Sequence, residues 1–296
     1  MHRVRNFIRF SRLHTVIGTA VSVTALYYIA VAAGKGNWSG HLQHLVLTLL
    51  ACLGANIYIV GLNQITDIEI DRVNKPYLPL ASGAYTVSLA RRILFLALLP
   101  ALAIGIFYGG FLLATILVSL FLGTIYSLPP IRLKRFYFWA AFCIIAVRGL
   151  VVNFLLFLHY QWVINHSTRV PPVVLLLAGV IFIYSVVIAW FKDIPDMEGD
   201  RRHRISTLTL DLGANRVFLA GNGILLLVYV AVMAVVVLYP GFWQTRFLLV
   251  AHGFFLLVLL YAMLRTIPSG RRSMSRFYQL VWVLFFLEYI VFSLSA

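Results

Sequence analysis

Nine runs of predominantly apolar residues, each near twenty long and set apart by short polar breaks, decide which solvent this chain folds in. A bilayer core about 30 Å thick is crossed by roughly 20 such residues in a helix. The runs cover residues 13–33, 43–64, 89–109, 111–127, 138–158, 171–191, 215–238, 245–266 and 277–295. They do not alternate polar and apolar residues over ten-residue segments, as barrel strands would, so helices are expected. With 62% hydrophobic and 11% charged residues in 296, the chain has more apolar surface than a water-soluble fold could hide. The expectation is an all-α integral membrane protein, a single domain over 1–296, with residues 1–12 as a basic interfacial leader.

The charges give an independent test of the segmentation, because Lys and Arg gather in the loops on one side of a membrane. With the N-terminus placed on the cytoplasmic side, 20 of the 24 basic residues fall there, from the Arg3–Arg12 group to Arg201, Arg202, Arg204 and the Arg271–Arg276 group. Three, Lys35, Arg169 and Arg246, fall on the other side, and Arg148 falls inside a span. Ala296 is then expected outside. The net charge of +15 is spread over every inward loop, which argues against nucleic acid as a partner and for anionic lipid. Cys52 and Cys143 both lie in spans and read as packing residues. The opening MHRVRNFIRFSRLH is basic and amphipathic, lacks a small-residue cleavage site, and is expected to be retained.

Only nine residues are acidic, and seven of them stand in two short stretches. Asn63, Asp67, Glu69 and Asp71 lie at the inner end of the second run; Asp193, Asp196, Glu198 and Asp200 lie at the inner end of the sixth. Steps of four would put Asn63, Asp67 and Asp71 on one stripe of a helix. Asp193, Asp196 and Asp200 follow i, i+3, i+7, with Pro195 forcing a kink or a new helix. Carboxylates this dense repel one another, and each is costly near hydrocarbon, so positive charge must sit among them. Magnesium takes one or two protein carboxylates and completes its shell with water and phosphate oxygens. Two such clusters therefore describe a site for a magnesium–diphosphate complex, with Arg72, Lys75 and Lys192 at hand for the remaining phosphate charge. No EF-hand loop points to calcium, and the eight His show no paired zinc-ligand spacing.

The N63-x-x-x-D67-x-x-x-D71 spacing, with K192-D-I-P-D-M-E-G-D200, resembles the paired aspartate motifs of the UbiA superfamily of intramembrane prenyltransferases. The stretch V60-GLNQITDIEIDRVNKPYLPLASG83 resembles the homogentisate prenyltransferases most, the phytyltransferase branch in particular, and the chlorophyll synthases less. The resemblance covers the whole chain. It implies nine helices around a central cavity, the aspartate motifs facing each other at the cytoplasmic ends of helices 2 and 6, and transfer of a phytyl or geranylgeranyl group from its diphosphate to homogentisate with loss of carbon dioxide. It implies magnesium held by Asn63, Asp67, Asp71, Asp193, Asp196 and Asp200, with Arg72, Lys75, Lys134 and Lys192 on the diphosphate. Y126-SLPPIRLKR135 resembles a family element in which Tyr and Lys approach the diphosphate. Tyr126 and Lys134 stand eight apart, longer than the Tyr-x-x-x-Lys of some members, and Tyr126 reads equally as an interfacial tyrosine. Arg148, with Asn153 five residues on, either meets the acceptor's carboxylate or pairs with Glu288 or a carbonyl. His14, Asn56 and Asn153 otherwise read as interhelical hydrogen-bonding residues. A solanesyl-specific or chlorophyll synthase-like enzyme is the near alternative, and a secondary transporter the distant one. A bacterial, cyanobacterial thylakoid or plasma membrane is the expected location.

Overall fold

The computed structural model describes residues 2–34, 36–203 and 205–296; Lys35 and Arg204, both counted above among the loop charges, lie outside the described residues. Among the described residues there are nine helices long and apolar enough to cross a membrane, and no strand. We label them α1 (Leu13–Ala33), α2 (Leu42–Thr66), α3 (Val87–Tyr108), α4 (Gly110–Ser127), α5 (Tyr137–Asn165), α6 (Pro172–Phe191), α7 (Ala214–Leu238), α8 (Thr245–Arg265) and α9 (Arg271–Leu294). Each coincides with one apolar run, and two differ in extent. The fifth run continues through about two further turns to Asn165. The ninth begins at Arg271, so Arg271, Arg272 and Arg276 sit in its opening turns rather than in a loop. Long basic side chains can ride on a helix end and still reach water, so polarity alone marks that boundary poorly.

Close helix approaches occur where small residues face a neighbour. A Cβ on Gly54 would stand 2.4 Å from the Ala97 carbonyl of α3, and one on Gly61 would stand 2.4 Å from Leu94 and 2.7 Å from Phe10. The two glycines, seven residues apart on α2, let α3 pack directly on its backbone. Gly109, with φ 132°, makes the reversal between α3 and α4 in a conformation that other residues avoid. The basic helix His2–Phe10 does not lie free of the bundle, because Phe10 is fully buried among Leu62, Leu80 and Leu94.

Helices α1, α2, α4, α5, α6 and α9 form a closed inner circuit of touching neighbours. Helix α3 packs outside α2 and α4, and α7 and α8 pack outside α6 and α9. The circuit surrounds a partly open cavity of about 260 Å³ whose lining comes from these six helices and from Arg12 and Lys192 at their ends. All nine spans thus belong to the arrangement around the cavity, with three serving as its outer buttress.

Candidate active site

Asp67 does not continue the helical stripe that its spacing suggests. Helix α2 ends at Thr66, Asp67 turns (φ −115°, ψ 15°), and a short helix, Ile68–Asn74, starts anew. The break is slight, since the Asp71 amide still donates to the Asp67 carbonyl at 2.7 Å. In the second motif α6 ends at Phe191, residues 192–196 form turns through Pro195, and Met197–Arg202 is a new short helix. Of the two outcomes open at Pro195, the new helix is the one found.

The two motifs meet. The Gly199 amide donates to Asn74 Oδ1 at 3.0 Å, and the Lys75 ammonium pairs with Asp196 across the gap. A Cβ on Gly199 would stand 2.4 Å from the Asn74 amide atoms, so the approach requires glycine there. Arg271, at the start of α9, donates to the Asn74 carbonyl at 2.6 Å and ties the first motif to the last span.

Around the aspartates the cations are distributed unevenly. Lys134 pairs with Asp67, which also accepts from Arg132 at 3.1 Å and from Asn63 Nδ2 at 3.0 Å. Arg12 donates to Asn63 Oδ1 at 2.9 Å. Lys192 lies 3.5 Å from Asp193 and donates to the Tyr126 hydroxyl at 3.1 Å. Asp71 and Asp200 are buried and have no ion pair among the described residues, and Asp71 Oδ2 has no hydrogen-bond partner. Burial pushes the Asp71 carboxyl up to about 6 against the pull of Arg12 and Lys75, and pushes Asp200 up to about 7 with help from Asp193 and Asp196. Asp193 is also raised, chiefly by burial. The cluster is thus short of positive charge at Asp71 and Asp200 above all, and a hard divalent cation would supply it. No three of the acids, His or Cys among the described residues converge enough to hold an ion unaided. That donor set suits a metal completed by water and phosphate oxygens.

Of the residues named from sequence, Asn63, Asp67, Asp71, Lys75, Tyr126, Lys134, Lys192, Asp193, Asp196 and Asp200 come together here. Arg72 does not: it points outward and pairs with Glu69 at 2.7 Å, with both side chains more than half exposed. Its place is taken by Arg132 and Arg12, read from sequence only as loop and leader charges. The left-handed backbone at Arg12 (φ 53°) and Arg132 (φ 41°) aims both inward, a signal that one sequence does not carry. A second recess of about 430 Å³ shares Thr66 and Arg132 with the cluster but includes none of the five aspartates.

Below the aspartates the cavity continues between the spans. Arg148 lines it, its guanidinium 4.5 Å from the centre of the Trp282 ring. Glu288, the acid that could have neutralised it, pairs instead with His252 at 3.1 Å, fully buried between α8 and α9. Arg148 sits in a π-helical stretch of α5, Ala146–Leu156, whose wider turns free backbone carbonyls. Asn153 takes up two of them, donating to Arg148 O at 2.7 Å and Gly149 O at 3.1 Å, while its own oxygen accepts from Tyr289 at 3.0 Å. Asn153 is therefore fully used between helices and does not face the cavity. Asn56 likewise bridges to Thr15 at 3.2 Å. His14 departs from that expectation: it makes no hydrogen bond to the described residues and sets its ring against Trp282, 5.1 Å between centres.

The UbiA prenyltransferase family model matches residues 20–289. A homogentisate phytyltransferase from Synechocystis sp. is 42% identical over 304 residues, covering 100% of this chain and 96% of the relative. A chloroplastic homogentisate solanesyltransferase from Arabidopsis thaliana is 38% identical, covering 96% of this chain and 75% of the relative. Among solved structures, a UbiA homologue from Archaeoglobus fulgidus bound to GPP and Mg2+ superposes with a TM-score of 0.62 at 16% identity, over 97% of this chain and 99% of that one, a likeness of fold. Nine membrane-length helices among the described residues, six of them in a closed circuit, paired aspartate motifs at one end and full-length similarity converge on one statement: this chain is a multi-pass membrane protein of the UbiA prenyltransferase family.

Proposed function

We infer that the protein transfers a prenyl group, phytyl or geranylgeranyl, from its diphosphate to homogentisate, and that the metal it uses is magnesium. The observation that carries this reading is the meeting of the two aspartate motifs above a cavity holding an arginine with no acid partner among the described residues. Relatives named for phytyl, solanesyl and geranylgeranyl transfer to homogentisate support the acceptor.

Asp67, Asp71, Asp193, Asp196 and Asp200, with Asn63, are the groups that would hold the metal, which when bound supplies positive charge to the departing diphosphate. Lys75, Lys134, Lys192, Arg12 and Arg132 take up the rest of that charge, and Tyr126 steadies Lys192. Burial draws Lys134 down to about 8 although Asp67 pulls the other way. It is held as an ammonium near neutrality by its anionic neighbours, diphosphate included. Ionisation leaves an allylic cation, which the spans keep from water and which Tyr278, Trp282 and Phe285 can face with their rings. Arg148 binds the acceptor's carboxylate and thereby sets which ring carbon meets the cation. No covalent enzyme intermediate is required.

The whole chain acts as one catalytic domain, with the basic leader at the interface and the motif end on the cytoplasmic side of a cyanobacterial thylakoid or plasma membrane. The excess of Lys and Arg at that end supports the orientation. Membranes containing the protein, supplied with magnesium, homogentisate and a panel of labelled prenyl diphosphates, test the reading directly. Prenylated methylquinol should form, and should vanish in Asp67→Ala and Asp193→Ala proteins that remain folded. Near-normal turnover in either variant would refute the site.

A further inference from the structure

We propose that His14 is the proton carrier of the reaction, taking the proton released from the acceptor ring and returning it to the side-chain carbon that loses its carboxyl group. The proposal rests on the homogentisate reading above. The chemistry poses a balance problem that the cavity must solve: substitution on the ring releases one proton, and decarboxylation consumes one. The bond between the prenyl carbon and the diphosphate oxygen breaks with its electron pair leaving on oxygen. A π pair of the ring forms the new carbon–carbon bond. The ring C–H bond then returns its pair to the ring and its proton to a His14 nitrogen. The bond to the carboxyl carbon breaks next, its pair staying on the benzylic carbon as carbon dioxide departs, and the imidazolium gives the proton to that carbon. Nothing is oxidised or reduced, and the enzyme ends as it began.

The spans that wall the cavity restrict bulk water to its open side, so a side chain beside the acceptor is the nearest carrier for this proton. Among the described residues lining the cavity, His14 is the one histidine. Arg12 and Arg148 stay protonated, Lys192 and Tyr126 bind each other, and Tyr289 donates to Asn153. Tyr278 and Cys143 are the remaining titratable groups there, a phenol and a thiol whose ordinary ranges lie above neutrality and suit them poorly to exchange. Placement agrees with chemistry. His14 on α1 and Arg148 on α5 pack on the same Trp282, at 5.1 Å and 4.5 Å. An acceptor held by its carboxylate on Arg148 therefore has His14 beside it. Neither ring nitrogen of His14 is engaged by the described residues, which leaves both for the acceptor. Arg12, Arg148 and Lys75 are the charged groups whose fields reach it, all of them cations that disfavour an imidazolium, so the proton rests on His14 only in passing to the benzylic carbon.

The test follows one deuteron. Homogentisate deuterated at the ring carbon that becomes prenylated is turned over, and the product's methyl group is analysed by mass spectrometry. The unaltered protein should deliver deuterium to that methyl. His14→Gln should turn over ~100-fold more slowly, with no deuterium in the methyl, while binding a magnesium complex of a non-ionising prenyl thiolodiphosphate as before. Added imidazole should restore part of the rate. Wild-type rates and labelling in His14→Gln overturn the proposal, as does an unlabelled methyl from the unaltered protein. Loss of analogue binding in both His14→Gln and His14→Asn would assign His14 to structure and overturn it too. If the unaltered protein makes no prenylated quinol from homogentisate, the acceptor reading itself falls, and the proton carrier with it.

Discussion

Arg148 is where structure and reaction make opposite demands on one side chain, and Arg148→Met separates them. This guanidinium lies within a span, with a ring face for company and no acid partner among the described residues. Placing a basic side chain at mid-span costs about 2.5–3.5 kcal/mol on insertion scales, and its contact with Trp282 recovers about 0.5–2 kcal/mol. Replacing it by methionine, of similar length, should leave stability unchanged or raise it by up to ~3 kcal/mol. Its role with an acidic acceptor runs the other way. A hydrogen bond to a charged group contributes about 1.5–3 kcal/mol, and each 1.36 kcal/mol is a factor of ten, so KM for homogentisate should rise roughly 10- to 150-fold. KM for the prenyl diphosphate should stay put. Steady-state transfer assays that vary each substrate in turn, with a thermal melt in the same detergent, measure all three quantities. Arg148→Lys keeps the charge but loses the planar fork, and should fall between. An unchanged KM for homogentisate, an equal rise in both KM values, or a clear fall in melting temperature would each refute the assignment.

Asp71→Asn should stabilise the metal-free protein by ~1–2 kcal/mol, because it discharges a buried oxygen with no partner among the described residues, yet abolish prenyl transfer; a melt and a transfer assay on one preparation read both. Asp71 and Asp200 sit at about 6 and about 7 in the folded protein against 3.8 ordinarily, so the folded state binds more protons than the unfolded one. Their contribution is present below about pH 4 and is lost as pH rises through 6 to 7. Without metal the protein should therefore melt lower at pH 8 than at pH 5, with magnesium and inorganic diphosphate together reversing the trend. Gly199→Ala drives a methyl into the Asn74 amide and should part the motifs, costing activity and metal affinity together while the far end of the bundle stays intact. Protease protection at that far end, alongside calorimetric titration of magnesium diphosphate, distinguishes this from global unfolding.

The spans were legible because hydrocarbon leaves a backbone no alternative to a helix, and length is then set by membrane thickness. What stayed hidden depends on backbone details that apolar composition does not encode. The turn at Asp67 interrupts a stripe that i, i+4 counting draws as continuous. The exchange of Arg72 for Arg12 and Arg132 follows from two left-handed residues and from Glu69, three positions before Arg72, capturing it on the outer face. The π-helical stretch around Arg148 is invisible in a run that reads simply as apolar, although Asn153, the residue that satisfies its carbonyls, was already conspicuous. Similarly, the six-helix inner circuit could not be separated from the three outer helices, since lipid-facing and cavity-backing residues are equally greasy.

The charges at the motif end carry one more step. Five aspartates, Asp67, Asp71, Asp193, Asp196 and Asp200, face five cations, Arg12, Lys75, Arg132, Lys134 and Lys192. With all ten ionised the cluster is neutral overall, but Arg12, Arg132 and Lys134 make their direct contacts within it on Asp67 and its partner Asn63, and Asp71 and Asp200 have no ion pair among the described residues. A bare divalent ion would relieve those two and leave an excess of positive charge in a low-dielectric site, and a bare diphosphate, with about three negative charges, would do the reverse. The complex of the two leaves the smallest residual charge, so its binding should be strongly cooperative, metal and diphosphate each tightening the other. The same arithmetic explains how the site lets its product go: once the prenyl chain has left, only polar contacts hold the diphosphate, and the aspartates paired with Lys75, Arg132, Lys134 and Lys192 compete with it for those cations.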